Sequence, residues 1–476
     1  MSARWARRWL RPAGGLALVL TLVACATLQP ALRAETPPRT RQAETARGAA
    51  AAVTVQGQRG SLDAEARVRL LTRLGAQGNS SALQRHLVAM SRFGDVDLLA
   101  DNDATLLIDG PATFAAMFAA IEQARHSVLL QSYIIEDSAI AQRLADLLAR
   151  KRAQGVQVRV LYDAVGSIGT PASYFEQLHA AGIPTCAVNP VNPLTRPGYW
   201  QITQRDHRKI LSTDRSAAFT GGINISAVYS VGSFKRRPTA EEQAKESGWR
   251  DTQLRLRGPA AAVLDDMVRQ TWQAQGCAGD LPALAPDPPA GRAGSQVVRI
   301  VAARPDASYS QIYALLLSAI DASDRSVYLT MAYFAPGQEM VDALCDAAKR
   351  GVDVKLVLPS VSDFSPVLHA GRSHYQRMLA AGVQLHELKN AVLHAKTAVI
   401  DGVVSTVGSS NMDWRSFSSN AEVNAVVLGE DFGDAMVRMF RQDLAASNAI
   451  TPQAWAERPM LQRAKETLAR WFERLL

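Results

Sequence analysis

The 476-residue chain has only four cysteines, Cys25, Cys186, Cys277 and Cys345, and no two stand at the close spacing of a metal-binding knuckle. A thiolate zinc site is therefore not readable. The N-terminal apolar run, from Ala13 to about Leu28, is short for a membrane span, which needs roughly 20 residues. A strong excess of one charge is missing too. The formal charge is +8, but Arg4, Arg7, Arg8 and Arg11 sit ahead of that apolar run, and the remainder carries +4. The basic pI is then weak support for a nucleic-acid partner. What is present is 47% hydrophobic and 20% charged residues, enough to bury a large core, over a length that suggests two or three domain-sized units.

The N-terminus has the order of a secretory signal: a positive stretch, a short apolar run (GGLALVLTLVA), then small residues. Leu22-Val23-Ala24-Cys25 resembles a bacterial lipoprotein processing site, with Cys25 as the lipidated residue; an uncleaved membrane anchor is the alternative. Without Cys25, three cysteines remain. One disulfide or simple buried thiols both fit, and the pair is not assignable. Residues 26–60, rich in Ala, Pro, Arg, Thr and Gln, read as a flexible tether.

Beyond that, two halves echo each other across a Pro-, Gly- and Ala-dense boundary at Cys277–Gln296. AIEQARHSVLL at Ala120 matches AIDASDRSVYL at Ala319; GVQVRVLYDAVGS at Gly155 matches GVDVKLVLPSVSD at Gly351; AAG at Ala180 recurs at Ala380. Each unit runs helix, apolar strand, helix, Val-rich strand. This is the pattern of an α/β fold with a largely buried sheet.

The duplication extends to ionisable residues. The first half carries His207, Lys209, Asp214, Gly221 and Asn224; the second carries His394, Lys396, Asp401, Gly408 and Asn411 at the same spacing. One such histidine on an apolar strand reads as a satisfied core residue. A lysine there does not, because burying an unpaired ammonium is costly. Side chains two apart on a strand share a face, so each His–Lys pair points one way, and a pseudo-two-fold packing of the halves can bring both pairs to one cleft.

These paired HxKx4Dx6GxxN motifs resemble those of the phospholipase D superfamily. The surrounding segments LLQSYIIEDS, SGWRDTQLRLRGP, YFAPGQEM and LHAKTAVIDGVVSTVGSSNMDWRSFSSNAEVN are similar to its bacterial cardiolipin synthase branch. The resemblance covers roughly Leu98 to Ser447. It implies a duplicated phospholipase D fold: two pseudo-two-fold-related lobes, each a mixed sheet flanked by helices, with one active site between them. A phosphodiester resists nucleophiles, so its cleavage needs neutralised oxygens, a nucleophile and an acid for the leaving alkoxide. Two imidazoles can divide the last two tasks through a phosphohistidine, with Lys209 and Lys396 supplying charge and Asn224 and Asn411 binding phosphoryl oxygens. No metal or cofactor is required. The resemblance makes His207 the nucleophile and His394 the acid/base, although the motifs are symmetric. Glu422, and Asp251 displaced by an inserted segment, are the acids expected to orient the histidines. Asp214 and Asp401, within the catalytic motifs, read as architectural.

The halves also differ. The first has 13 extra residues before His207, where Arg196, Tyr199, Trp200 and Arg205 suit either a lipid-facing rim or a packed surface loop. Arg215 stands where the second half has Gly402, so the first motif's turn is expected to differ. At the C-terminus, Leu461, Ala464, Leu468, Trp471, Phe472 and Leu475 share a helical face, which suits either a membrane interface or docking onto the core.

The resulting division is a signal segment 1–24, tether 25–60, helical segment 61–95, lobes 96–276 and 297–450 joined by a linker 277–296, and an amphipathic helix 451–476. The expected function is phosphatidyl transfer between two phosphatidylglycerol molecules with release of glycerol, with phosphatidylethanolamine left open as a donor. The expected location is the cell envelope at a membrane surface, without nucleic acid and with the oligomeric state open. A phospholipase D hydrolase, a periplasmic nuclease and a non-catalytic lipid-binding protein are the competing readings.

Overall fold

The computed structural model describes residues 46–475, apart from 76–77, 79, 192–202, 234–247, 284–292, 306 and 308. The signal segment, Cys25, Arg196, Tyr199 and Trp200 lie outside the described residues.

Order begins earlier than composition suggests. Residues 46–60, read as tether, together with Ser61 form a helix, Ala46–Ala51, and two strands, β1 (Thr54–Gly57) and β2 (Gly60–Ser61). The segment lacks apolar periodicity because its order comes from pairing: β1 runs parallel to β3 (Asp97–Ile108), matching Val55 with Leu98. Helices Ala64–Leu74 and Ser80–Ser91 lie between; Asp63 caps the first by accepting from the Ala66 amide at 2.8 Å.

The first lobe continues with β4 (Ser127–Ser132), β5 (Gln157–Asp163), β6 (Thr185–Val188), β7 (Ile210–Thr213), β8 (Ala217–Gly221) and β9 (Thr252–Arg257). The second has β10 (Gln296–Ala303), β11 (Ser326–Met331), β12 (Phe334–Ala335), β13 (Asp353–Pro359), β14 (Gln384–Leu388), β15 (Lys396–Ile400), β16 (Val404–Gly408), β17 (Met412–Asp413), β18 (Glu422–Leu428) and β19 (Ser447–Ile450). Spatial order in the first lobe is β6-β5-β4-β7-β8-β9-β3, and in the second β14-β13-β11-β15-β16-β18-β10. In each, the first three strands are parallel and the rest antiparallel. This is one mixed sheet built twice. The two are joined edge to edge where β10 pairs antiparallel with β3.

Strands β4, β7, β15, β16 and β18 are buried at every residue. Both sheet faces are therefore covered, as Val- and Leu-rich runs such as SVLLQS and EVNAVVL require. Helices Asp109–Gln123, Ala139–Ala153 and Ala172–Ala180 cover one face of the first sheet. A second cluster, with Leu264 and Trp272 of helix Pro259–Ala274 and Phe432 and Met436 of helix Glu430–Ala445, runs across both lobes.

The hairpin turns carrying Asp214 and Asp401 do not differ. Both members of each pair have positive φ, 51° and 59° for Asp214 and Arg215, 52° and 69° for Asp401 and Gly402. Arg215 adopts the conformation that suits glycine while its guanidinium is held by Asp266 at 2.7 Å.

Cys186 of β6 and Cys277, beyond helix Pro259–Ala274, form a disulfide, and Cys345 is a buried thiol. The bridge closes a 91-residue separation. Cys277→Ser is expected to lower the unfolding free energy by about 2–4 kcal/mol. Urea midpoints with and without dithiothreitol check this: reductant should bring the two proteins together.

Candidate active site

His207 and Lys209 stand just before β7, His394 stands just before β15, whose first residue is Lys396, and each histidine is held in place by an isolated bridge to the opposite lobe. Asp206 forms an isolated parallel bridge with Ala421, and Leu393 forms one with Arg250. The His207 amide donates to the Ala421 carbonyl at 2.9 Å, and the His394 amide donates to the Arg250 carbonyl at 2.8 Å. These bridges set each histidine beside the residue that follows its partner, which is an acid in both cases. Nδ1 of His207 lies 3.0 and 3.1 Å from the two carboxylate oxygens of Glu422, and Nδ1 of His394 lies 2.7 Å from Asp251 Oδ2. The carboxylates are thus exchanged between lobes. In each pair the carboxylate engages Nδ1, which leaves Nε2 as the nitrogen free to act as base when the ring is neutral or as acid when it is protonated.

The exchanged pairs are not alike. Ser409 donates to Glu422 at 2.5 Å. Its counterpart is Gly222, where a Cβ would lie 2.1 Å from Asp251 Oδ1. The shorter acid lies where a side chain would otherwise be. Tyr229 OH is 3.0 Å from His394 Nδ1, and Asn224 Nδ2 is 3.4 Å from Tyr229 OH. Asn224 Oδ1 accepts from the Ile134 amide at 3.1 Å, which leaves its NH2 toward the cleft. Asn411 also lines the cleft, and its Oδ1 is buried without a partner among the described residues.

Both histidines and both asparagines line one cleft of about 310 Å³, with Tyr133, Trp249, Tyr333, Phe364 and Val367 as its apolar and aromatic wall and Arg205 and Arg415 as its cations. Tyr133 packs edge-on to His207 with ring centroids 4.7 Å apart, and Trp249 lies 5.2 Å from His394. Lys209 and Lys396 sit behind the histidines. Each Nζ donates to the carbonyl of its own motif histidine.

Burial dominates the electrostatics. It holds the His207 imidazolium well below its ordinary pKa, reinforced by Lys209 and Lys396, and lowers that of His394, with Lys396 adding to the shift and Asp251 opposing it. Desolvation brings Lys209 down to about 7 and pushes Glu422 up to about 7, although each opposes the other's shift. An anion entering the cleft would restore charge to these cations.

Asp214 and Asp401 lie away from the cleft. Asp214 accepts from the amides of Arg125, His126 and Ser127 at 2.7–2.8 Å. Asp401 does the same for Asp324, Arg325 and Ser326, and meets buried His86 at 3.0 Å. Both clamp the start of the neighbouring strand. Arg205 is in the cleft wall and also near Asp163, at 3.5 Å. Sequence reasoning missed Tyr133 and Tyr333. A tyrosine just past β4 and another just past β11 was the repeat signal that would have found them.

Two buried imidazoles with separate carboxylates thus face one cleft with two asparagines on a duplicated α/β scaffold, an arrangement chemically suited to a phosphodiester. Residues 117–231 and 316–444 match the family described as "Cardiolipin synthase, PLD-like domain". The chain is 35% identical over 399 residues to a cardiolipin synthase of Geobacillus kaustophilus, covering 83% of this chain and 76% of that one. It is also 35% identical over 393 residues to a cardiolipin synthase A of Pseudomonas putida strain W619, covering 82% and 78%. The fold is similar to that of phosphatidylserine synthase from Haemophilus influenzae Rd KW20, with a TM-score of 0.57 at 13% identity over 78% of this chain and 93% of that one. The chain belongs to the cardiolipin synthase family of phospholipase D-like proteins and is a phosphatidyltransferase of that superfamily.

Gly222→Ala is expected to reduce turnover by about 100-fold or more, because its methyl displaces Asp251 from His394. Ser409→Ala should cost only about tenfold, since it removes one bond to Glu422 and leaves the carboxylate in place. Steady-state rates, with circular dichroism to show that both variants fold, check the contrast.

Proposed function

We propose that this protein makes cardiolipin from two molecules of phosphatidylglycerol. The observation that carries the reading is the pair of histidines from opposite lobes on one cleft, each with its own carboxylate. His207 Nε2 attacks the phosphorus of the first phosphatidylglycerol, and the bond to the glycerol oxygen breaks. His394 gives that alkoxide a proton and glycerol leaves. His394, now neutral, takes the proton of a hydroxyl on the second phosphatidylglycerol; that oxygen attacks phosphorus, the N–P bond breaks, and His207 returns to its starting state. Asn224 and Asn411 hold the phosphoryl oxygens. The choice of His207 as nucleophile rests on family resemblance.

Tyr133, Trp249, Tyr333, Phe364 and Val367 give the otherwise polar cleft, which also carries Asp363 and Asp413, a wall that can take the apolar part of a lipid alcohol; this supports a lipid acceptor, and the products decide between transfer and hydrolysis. We further propose export to the cell envelope and lipid attachment through Cys25. The disulfide supports an oxidising compartment, and the N-terminal residue order supports the lipid anchor. On this reading the working surface is a membrane.

Purified protein incubated with phosphatidylglycerol vesicles, without added metal, should yield cardiolipin and free glycerol, and both should disappear in His207→Ala and His394→Ala. Phosphatidic acid with glycerol and no cardiolipin would replace transfer by hydrolysis. The pH profile adds a second check. Burial depresses the proton affinity of His394 in the free enzyme, so the alkaline fall of kcat/KM, which reports loss of that proton, lies at low pH. A bound phosphodiester adds negative charge beside the ring and raises its affinity for the proton. The alkaline fall of kcat is therefore expected at higher pH than that of kcat/KM.

A further inference from the structure

The C-terminal helix is mounted inside out. Helix Met460–Trp471 packs against helix Ser365–Arg372, yet the side it turns inward is polar. Glu466 is 2% exposed and bonded to Arg458 and Gln462 at 2.9 and 3.0 Å; Glu473, in the turn that follows, is 8% exposed and meets His374 and the Gly337 amide at 3.0 and 3.1 Å. The opposite side carries Leu461, Leu468, Trp471 and Leu475, with Trp471 76% and Leu461 70% exposed. Eleven large apolar side chains are exposed among the described residues, and six of them lie between Met460 and Leu475. A helix serving only to cover the core would turn the other way.

We propose that this face is the protein's docking surface for an anionic lipid bilayer, lying in the interface with the helix axis parallel to the membrane. Charge selects this occupant. Helical spacing places Arg463 and Arg470 along one border of the apolar face and Lys465 along the other, Arg474 in the following turn lies over the Trp414 ring, and Glu466 and Glu473, the acids of the segment, are withdrawn into the protein. Position agrees. Ala469 packs on the cluster of Ala335, Val367 and Ala370 that also supports Tyr333, and Val367 and Tyr333 line the catalytic cleft. The turn after the helix adjoins helix Trp414–Ser418, whose Arg415 is a cleft cation. A bilayer held on this face is held beside the wall of the site that would draw lipid from it.

The inference rests on phospholipid being the substrate, and the test separates the two. The full chain is mixed with vesicles of phosphatidylglycerol and phosphatidylethanolamine or of phosphatidylcholine alone, and hydrogen exchange is followed in peptides covering 460–475. The double variant Leu468→Ser/Trp471→Ser is assayed on vesicles and on short-chain, monomeric phosphatidylglycerol. The expected result is exchange slowed roughly tenfold by the anionic vesicles only, and a vesicle KM raised roughly tenfold in the variant, with kcat and short-chain turnover unchanged. Unchanged exchange together with an unchanged vesicle KM overturns the proposal. So does a wild-type dimer in gel filtration that the variant dissolves, which would give the face to a second copy. If the wild type leaves short-chain lipid untouched, the transferase reading fails, and the exchange of 460–475 alone decides the docking surface.

Discussion

Each motif histidine takes its carboxylate partner from the other lobe, and the rest of the site depends on that exchange. Two short parallel bridges, Asp206 with Ala421 and Leu393 with Arg250, carry it. They join backbone to backbone one residue ahead of the acid, so the imidazole and carboxylate meet in a register that side-chain rotation cannot change. Buried Arg250 ties the second bridge to Asp443 at 2.6 and 2.8 Å, anchoring it in the helix on the far side of the sheet. A relative shift of the lobes would break both His–acid pairs together. The edge pairing of β3 with β10 and the apolar cluster shared by the lobes oppose such a shift. Fold stability and the geometry of the two His–acid pairs are here the same contacts.

The site's cations are held in a poised state. Lys209 and Lys396 are buried behind the histidines and bonded to backbone carbonyls, where desolvation weakens their hold on a proton. Such groups gain most from an incoming phosphodiester, because the anion offsets the cost of keeping them charged in a low-dielectric site. Binding and charging are thereby linked.

The sequence was informative where spacing repeats. The His, Lys and Asn pairs were legible because HxKx4Dx6GxxN occurs twice, and the two sheets because the strands read as matched apolar runs. The pairing of acid with histidine was not, since the partners are 215 and 143 residues apart and meet only through the lobe interface. The disulfide was hidden for the same reason. The ordered stretch at residues 46–61 escaped because its strands are specified by β3 rather than by their own composition. The left-handed turn at Arg215 is likewise sustained by Asp266, a residue from a distant helix.

The exchange has an evolutionary consequence. One lobe alone would hold a histidine and an acid whose partners both lie in the other lobe, whereas two copies about a two-fold axis complete both pairs. A chain containing both copies keeps that arrangement but frees the copies from identity. The departures are already visible in Asp251 over Gly222 against Glu422 over Ser409, and in Tyr229 beside His394 alone of the two histidines. A symmetric pair must give both imidazoles the same environment; a fused pair can make one a nucleophile and the other a proton carrier.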